Sequence, residues 1–393
     1  MKNFRLTRAL ICVLLLLCTA LSLVGCTLPG GTQTPTYNVT GGDTNNVTVN
    51  VGKDDAAPVA ASKALMSAVS IYSAFSSKSG AYGSGFIYKM SEDRRSAYVV
   101  TNYHVIYMAG AGVSKSISVF LYGQQTSACA IEAEFIGGSM NYDLAVLKIT
   151  NSQRLFESEA MAAQLANSDE VDVLDTVIAV GNAGGAGLSA TAGNVNVISE
   201  YISLLAPDER TKITLRVMRT DAAVNPGNSG GGLFDTEGKV VGVVNAKSTE
   251  DTVDNMGYAI PSNVAKNIVE NIIYYCDGTE KTCVYRIILG VDLENKSPKA
   301  DYNPETGKIT LTSEVAVSSI DSTSVLSGKL AVGDVITAVT VDGVRIEANM
   351  RHTVIDHMLN ARAGSTVVFE YVRGGKAASV TVTPTESMLT PYV

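Results

Sequence analysis

The residues that acyl transfer requires are all present in this 393-residue chain, far apart from one another. Hydrolysis of a peptide bond needs a nucleophilic hydroxyl, a base within hydrogen-bond reach and donors aimed at the developing oxyanion. A hydroxyl suited to attack sits in Asn225-Pro226-Gly227-Asn228-Ser229-Gly230-Gly231, where glycines let the backbone turn sharply around Ser229. Such a turn frees the amides of Gly227 and Ser229 to point at one spot, with Asn228 between them, and these three residues are assigned to an oxyanion hole. The base follows by elimination. Only three histidines are present, and His352 and His357 fall on a predicted helix late in the chain, among polar neighbours. His104, behind the apolar run Val99-Val100, is the imidazole left for this site. An orienting carboxylate should be embedded in apolar sequence, and Asp143 opens the run Leu144–Ile149. Each piece has a plainer reading: a serine in a glycine-rich turn, a buried histidine, an aspartate satisfying local amides.

These side chains need a scaffold to bring them together. Between residues 60 and 275, short apolar runs alternate with turn residues, at 85–88, 97–101, 117–122, 144–149, 173–180, 213–219 and 240–245. Many short strands without long amphipathic helices predict an all-β barrel or sandwich. Val264, Ile268, Ile272 and Ile273 have the spacing of a closing helix over 263–275. A second unit begins near Tyr285, with a hairpin signal at Asp342-Gly343, helical periodicity over 348–361, and strands at 366–372 and 378–383. The glycine-rich segment 181–187 lacks the spacing of a dinucleotide fingerprint, and 188–198 reads as a strand where that motif needs a helix. No P-loop is present, so no cofactor is expected.

The formal net charge of −8 argues against a nucleic-acid partner, because nothing here would neutralise a phosphate backbone. The N-terminus reads as an address: Lys2, Arg5 and Arg8 precede an apolar run over 9–23 that is short for a membrane span. It ends in Leu23-Val24-Gly25-Cys26, which resembles the lipobox of bacterial lipoproteins and implies lipidation of Cys26 and a membrane tether. An ordinary signal peptide or a lone anchor has the same pattern, and each reading puts the rest of the chain outside the cytoplasm. Residues 27–59 are Gly, Thr, Asn and Pro with few apolar side chains, a composition for a flexible linker. Cys129 stands alone, while Cys276 and Cys283 flank a polar turn and read as a local disulfide or two free thiols. Their spacing is poor for zinc, so no metal site is expected.

Taken together, the motifs resemble the HtrA/DegP branch of the trypsin-like serine proteases. Val100-Thr101-Asn102-Tyr103-His104-Val105 is similar to the family's histidine motif and Asp143-Leu144-Ala145-Val146-Leu147-Lys148 to its aspartate motif. Thr220-Asp221-Ala222-Ala223-Val224 and the serine loop complete nearly the whole serine motif, although Gly232 stands where the family usually has Pro. Gly83-Ser84-Gly85-Phe86 and Met256-Gly257-Tyr258-Ala259-Ile260-Pro261 resemble flanking segments. The resemblance implies a mainly β protein: a chymotrypsin-like double β-barrel over 60–278, followed by a small PDZ-like β domain with helices over 284–386. It implies a homotrimeric, ATP-independent endopeptidase acting on unfolded or mislocalised envelope polypeptides through an acyl-enzyme. Ala223 stands where a trypsin-like specificity would need an acid, and Val224, Val243 and Asn245 are expected to line a shallow apolar substrate pocket. Ile288, Leu289, Gly290 and Val291 resemble the PDZ loop and strand that hold a peptide C-terminus. The alternative is a peptide-binding chaperone or scaffold at the membrane with little proteolysis.

Overall fold

The computed structural model describes residues 56–245, 256–307 and 309–392. The first described element, α1 (Ala56–Ser67), buries Ala60, Ala64 and Ser67. It begins inside the segment read as a linker, which reached to 59. Ala56-Ala57 are strong helix formers and Pro58 is tolerated in a first turn, so a composition that looks loose starts a helix once a core lies beneath it.

Two six-stranded closed barrels follow. The first is built from β1 (Ala68–Ser76), β2 (Ser79–Met90), β3 (Ala97–Thr101), β6 (Ser116–Leu121), β7 (Ile131–Ser139) and β8 (Leu144–Ile149). A helical turn, α2 (Tyr103–Ile106), and a ribbon of β4 (Tyr107–Met108) and β5 (Gly112–Val113) interrupt it. After the short α3 (Gln153–Phe156), the second barrel takes β9 (Thr176–Gly181), β10 (Ser189–Leu205), β11 (Lys212–Thr220), β12 (Gly232–Phe234), β13 (Val240–Asn245) and β14 (Gly257–Pro261). Residues 173–175, expected to start a strand, form a turn instead: Leu174 has a positive φ of 73° and is exposed.

The apolar runs are continuous because both faces of these strands are covered. In β8, Ala145, Leu147 and Ile149 fill the first barrel, while Leu144 and Val146 face a seam shared with the second. In β9, Val177 and Ala179 point into the second barrel and Ile178 and Val180 into the seam. Alternate side chains of one strand thus serve two cores. Helix α4 (Ser262–Cys276) closes the seam with Val264, Ile268 and Ile272 on one face, as their spacing predicts.

The C-terminal domain is a sheet ordered β16 (Val291–Tyr302), β17 (Ile309–Ile320), β18 (Val335–Val341), β20 (Val367–Arg373) and β21 (Lys376–Val382), with β19 (Val344–Glu347) paired to β18. A two-stranded ribbon joins β15 (Val284–Ile287) to β22 (Leu389–Tyr392). Helix α5 (Arg351–Met358) is shorter than the periodicity suggested and lies between the two domains. Its Asp356 pairs with Arg216 of β11 at 2.7 Å, and Asn267 of α4 donates to the Asp356 carbonyl at 2.9 Å. Of the α5 histidines, His357 is buried against the Val344 carbonyl, and burial beside Arg216 and Arg351 pushes His352 down to about 4. Cys129, Cys276 and Cys283 are free thiols, and no group of potential metal ligands occurs among the described residues.

Candidate active site

Strand β3 ends at Thr101, and the chain turns through α2 to present His104 at the edge of the first barrel. Asp143 precedes β8, the strand next to β3, so ordinary antiparallel pairing brings the two together. The carboxylate is fully buried and both its oxygens are fixed. Oδ1 accepts the His104 backbone N–H at 3.0 Å; Oδ2 lies 2.7 Å from His104 Nδ1 and accepts Asn245 Nδ2 at 2.8 Å. Asn102 Nδ2 holds the Asp143 carbonyl at 2.8 Å. A carboxylate facing Nδ1 assigns the ring proton to that nitrogen and leaves Nε2 as the acceptor, the tautomer a general base needs. The imidazole keeps 21% of its side-chain surface exposed, enough to meet a substrate. The backbone at Asp143 is left-handed, with φ of 49°, a strained conformation that its bonds to Asn102, His104 and Asn245 hold in place.

Ser229 comes from the other barrel and is positioned through its backbone. The Ser84 amide donates to the Ser229 carbonyl at 2.8 Å. Gly230 N–H donates to the Val244 carbonyl at 2.9 Å, and Val244 N–H returns a bond to Gly231 at 2.8 Å. Val244 is the neighbour of Asn245, so the strand bonded to the serine loop also carries a donor to Asp143. Gly230 packs so closely on the first barrel that a Cβ would collide with the Ser84 carbonyl and Thr101 Oγ1. These contacts converge the histidine, aspartate and serine segments on one cleft.

The loop read as an oxyanion hole is held from both sides of Gly227. The Pro226 carbonyl accepts from Gly184 N–H at 2.8 Å, and the Gly227 carbonyl accepts from Ser84 Oγ at 2.6 Å. In a trans peptide the N–H points opposite to the carbonyl, so the Gly227 amide is turned away from Gly184. Among the described residues, no hydrogen bond uses it. Its φ of 101° and the crowding of the Asn182 carbonyl admit only glycine here. Asn228, assigned to the oxyanion hole from sequence, does not have its amide available: it donates to the Asn225 carbonyl at 2.9 Å and closes the turn.

The pocket assignments also change. Val224 stays half-buried beside Gly257, where an added Cβ would touch it at 2.7 Å, consistent with a pocket wall. Val243 instead has no exposed surface and packs in the seam, because β13 is covered on both faces. Asn245 is buried and turned to Asp143. Ser84 was noted only as part of a flanking segment; its hydroxyl donates to Gly227 and accepts the Asn182 amide at 2.7 Å, tying the serine loop to the glycine-rich segment 182–187. The signal in the sequence was its setting between two glycines.

In the second domain, residues 288–291 line a groove of about 500 Å³ with Val354, Ile355 and Met358 of α5 opposite. The carbonyls of Leu289 and Gly290 are tied to Ser324 Oγ and the Asp321 amide at 2.6 and 2.8 Å. Among the described residues, no hydrogen bond uses the amides of Leu289 or Gly290. Strand β16 is the edge of its sheet, with its free side along the groove. Cys26 lies outside the described residues, and no described helix is long and apolar enough to cross a membrane.

Comparison with known proteins agrees with this arrangement. Residues 83–243 match the trypsin-like peptidase domain family and residues 288–383 the PDZ domain family. The chain is 35% identical over 310 residues to the serine protease Do-like HtrA of Lactococcus lactis subsp. lactis, covering 76% of this chain and 69% of that one. It is 32% identical over 304 residues to a probable periplasmic serine endoprotease, DegP-like, of Brucella suis, covering 77% of this chain and 52% of that one. Among solved structures, the HtrA-type protease AlgW with tripeptide superposes with a TM-score of 0.55 at 27% identity, over 84% of this chain and 96% of its own. The chain belongs to the HtrA family: it is a serine endopeptidase with a trypsin-like domain and one PDZ domain.

Proposed function

We propose that Ser229, His104 and Asp143 hydrolyse peptide bonds through an acyl-enzyme. One observation carries the reading: Asp143 is locked between His104 and Asn245, and the strand bearing Asn245 is bonded to the glycines that follow Ser229. Ser229 Oγ attacks the scissile carbonyl while His104 Nε2 takes its proton. The amides of Gly227 and Ser229 hold the oxyanion. His104 then gives the proton to the leaving amine, and water repeats the sequence on the ester. Asp143 orients the ring and stabilises its charged form. Residue 223 supplies no acid, and Val224 beside Gly257 supports an apolar wall for the primary pocket, so cleavage after Val, Ala or Leu is expected.

The substrates are unfolded or mislocalised polypeptides of the cell envelope, and their C-termini, or those of other peptides, are held in the PDZ groove. The unused amides of Leu289 and Gly290 at the end of an edge strand support this binding mode. The periplasmic designation of the Brucella relative and the basic-then-apolar N-terminus support an extracytoplasmic enzyme, lipid-anchored through Cys26; a trimer is what the resemblance to the family implies. Casein digestion and fluorophosphonate labelling test the chemistry. The parent chain digests and labels, whereas Ser229→Ala loses labelling and at least about a thousandfold in turnover. Equal activity of the two removes Ser229 from the mechanism.

A further inference from the structure

We propose that Cys276 and Cys283 are a thiol pair that closes into a disulfide across the junction between the protease and PDZ domains, by exchange with a small-molecule disulfide. Neither thiol has a part in the proposed hydrolysis. Cys276 is the last residue of α4, and Cys283 immediately precedes β15. The turn between them folds back on the helix end: Thr279 donates to the Cys276 carbonyl through its amide at 3.0 Å and its hydroxyl at 3.1 Å. Asp277 is clamped by Lys148 at 2.8 Å and Tyr98 at 2.7 Å, and the Thr282 carbonyl accepts from Gly138 at 3.0 Å. This folding brings the Cys276 thiol to 3.3 Å from the Cys283 carbonyl, beside the residue it would bond. Gly137 makes the room, since a side chain there would begin 2.9 Å from Cys276 Sγ.

The two thiols differ in access, and this sets the order of events. Cys283 is partly exposed and Cys276 is buried. The Cys283 thiolate attacks one sulfur of the incoming disulfide RSSR, forming a mixed disulfide and expelling RS⁻. Cys276 then loses its proton and attacks the Cys283 sulfur, expelling the second RS⁻. The protein pair is oxidised by two electrons and RSSR is reduced to two thiols. Burial, with Cys283 nearby, pushes the Cys276 thiol up to about 12, so the second step is the slow one. The bridge would fix the chain between the two domains against Gly137-Gly138 of β7, the strand that leads towards Asp143.

The test is incubation of the intact chain with oxidised glutathione, an acid quench and peptide mass mapping without reduction. The expected product joins the peptides bearing Cys276 and Cys283, is lighter by two hydrogens, and reverts with dithiothreitol. Cys276→Ser arrests at a glutathione adduct on Cys283, and Cys283→Ser leaves residue 276 unmodified. A glutathione adduct that persists on Cys283 in the parent, or thiols at both positions that stay reduced until the chain is unfolded, overturns the proposal.

Discussion

The two barrels contribute to the cleft in different ways. The first supplies side chains: His104 and Asp143 are joined to each other at both carboxylate oxygens. The second supplies backbone: Gly230 and Gly231 are placed by main-chain bonds, Gly227 by the Ser84 hydroxyl, and all three by the lack of side chains, with Ser229 as the hydroxyl among them. A base must hold one tautomer and one orientation, which buried side-chain hydrogen bonds achieve. An oxyanion hole must hold two amides on one point, which only a constrained backbone achieves.

Asp143→Asn is the strongest way to break this comparison. It keeps the shape of the side chain but offers a donor where Nδ1 needs an acceptor, and kcat should fall by about 10⁴. Unfolding should stay cooperative, and a small kinetic effect would move the orienting role elsewhere. Gly227→Ala tests the other barrel. The new methyl meets the Asn182 carbonyl at a positive φ, so the loop must rearrange. The expected loss is on the order of a hundredfold or more in kcat with KM little changed; a matching rise in KM would mean that the loop binds substrate equally in its ground state. Asn245→Ala sharpens the division, because the Asn245 side chain reaches from the second barrel to Asp143 of the first. Losing its bond to Asp143 should cost about tenfold in kcat. A variant of unchanged activity would reduce Asn245 to a packing residue.

The smallest effect concerns a second buried aspartate whose partner cannot change charge. Asp334 is bound by Arg373 through two contacts of 2.7 Å and by the Ala331 amide at 2.8 Å, and the guanidinium holds it below the usual carboxylate range. Because its folded value is depressed, its stabilisation is present at neutral pH and is lost as pH falls through that value. Arg373→Gln should lower Tm at pH 7 by less than about 4 °C, with the two melting curves converging in acid, and leave casein turnover unchanged. A difference that persists at low pH would assign the effect to packing.

Much of the site was legible because the chemistry is scarce in this chain. Three histidines, two of them on a late helix, leave one candidate base, and few segments surround a serine with so many glycines. The barrels were legible from short apolar runs. Asn245 was not, because its partner lies 102 residues earlier and an asparagine at the end of an apolar strand reads equally well as a pocket wall. Val243 was misplaced for a related reason: the alternation of a strand tells which residues share a face, and cannot tell that both faces are covered. Asn228 sits between two amides assigned to the oxyanion hole, and only the turn bond to Asn225 separates its role from theirs.

Gly230 bears on how wide the cleft can be. At this point the serine loop rests directly on main chain and a threonine hydroxyl of the opposite barrel, with nothing interposed. The close approach of the two barrels at this point therefore depends on the absence of a side chain at 230. Any side chain larger than hydrogen at 230 acts as a wedge, since its Cβ would sit 2.3 Å from both oxygens and the two barrels would have to part there.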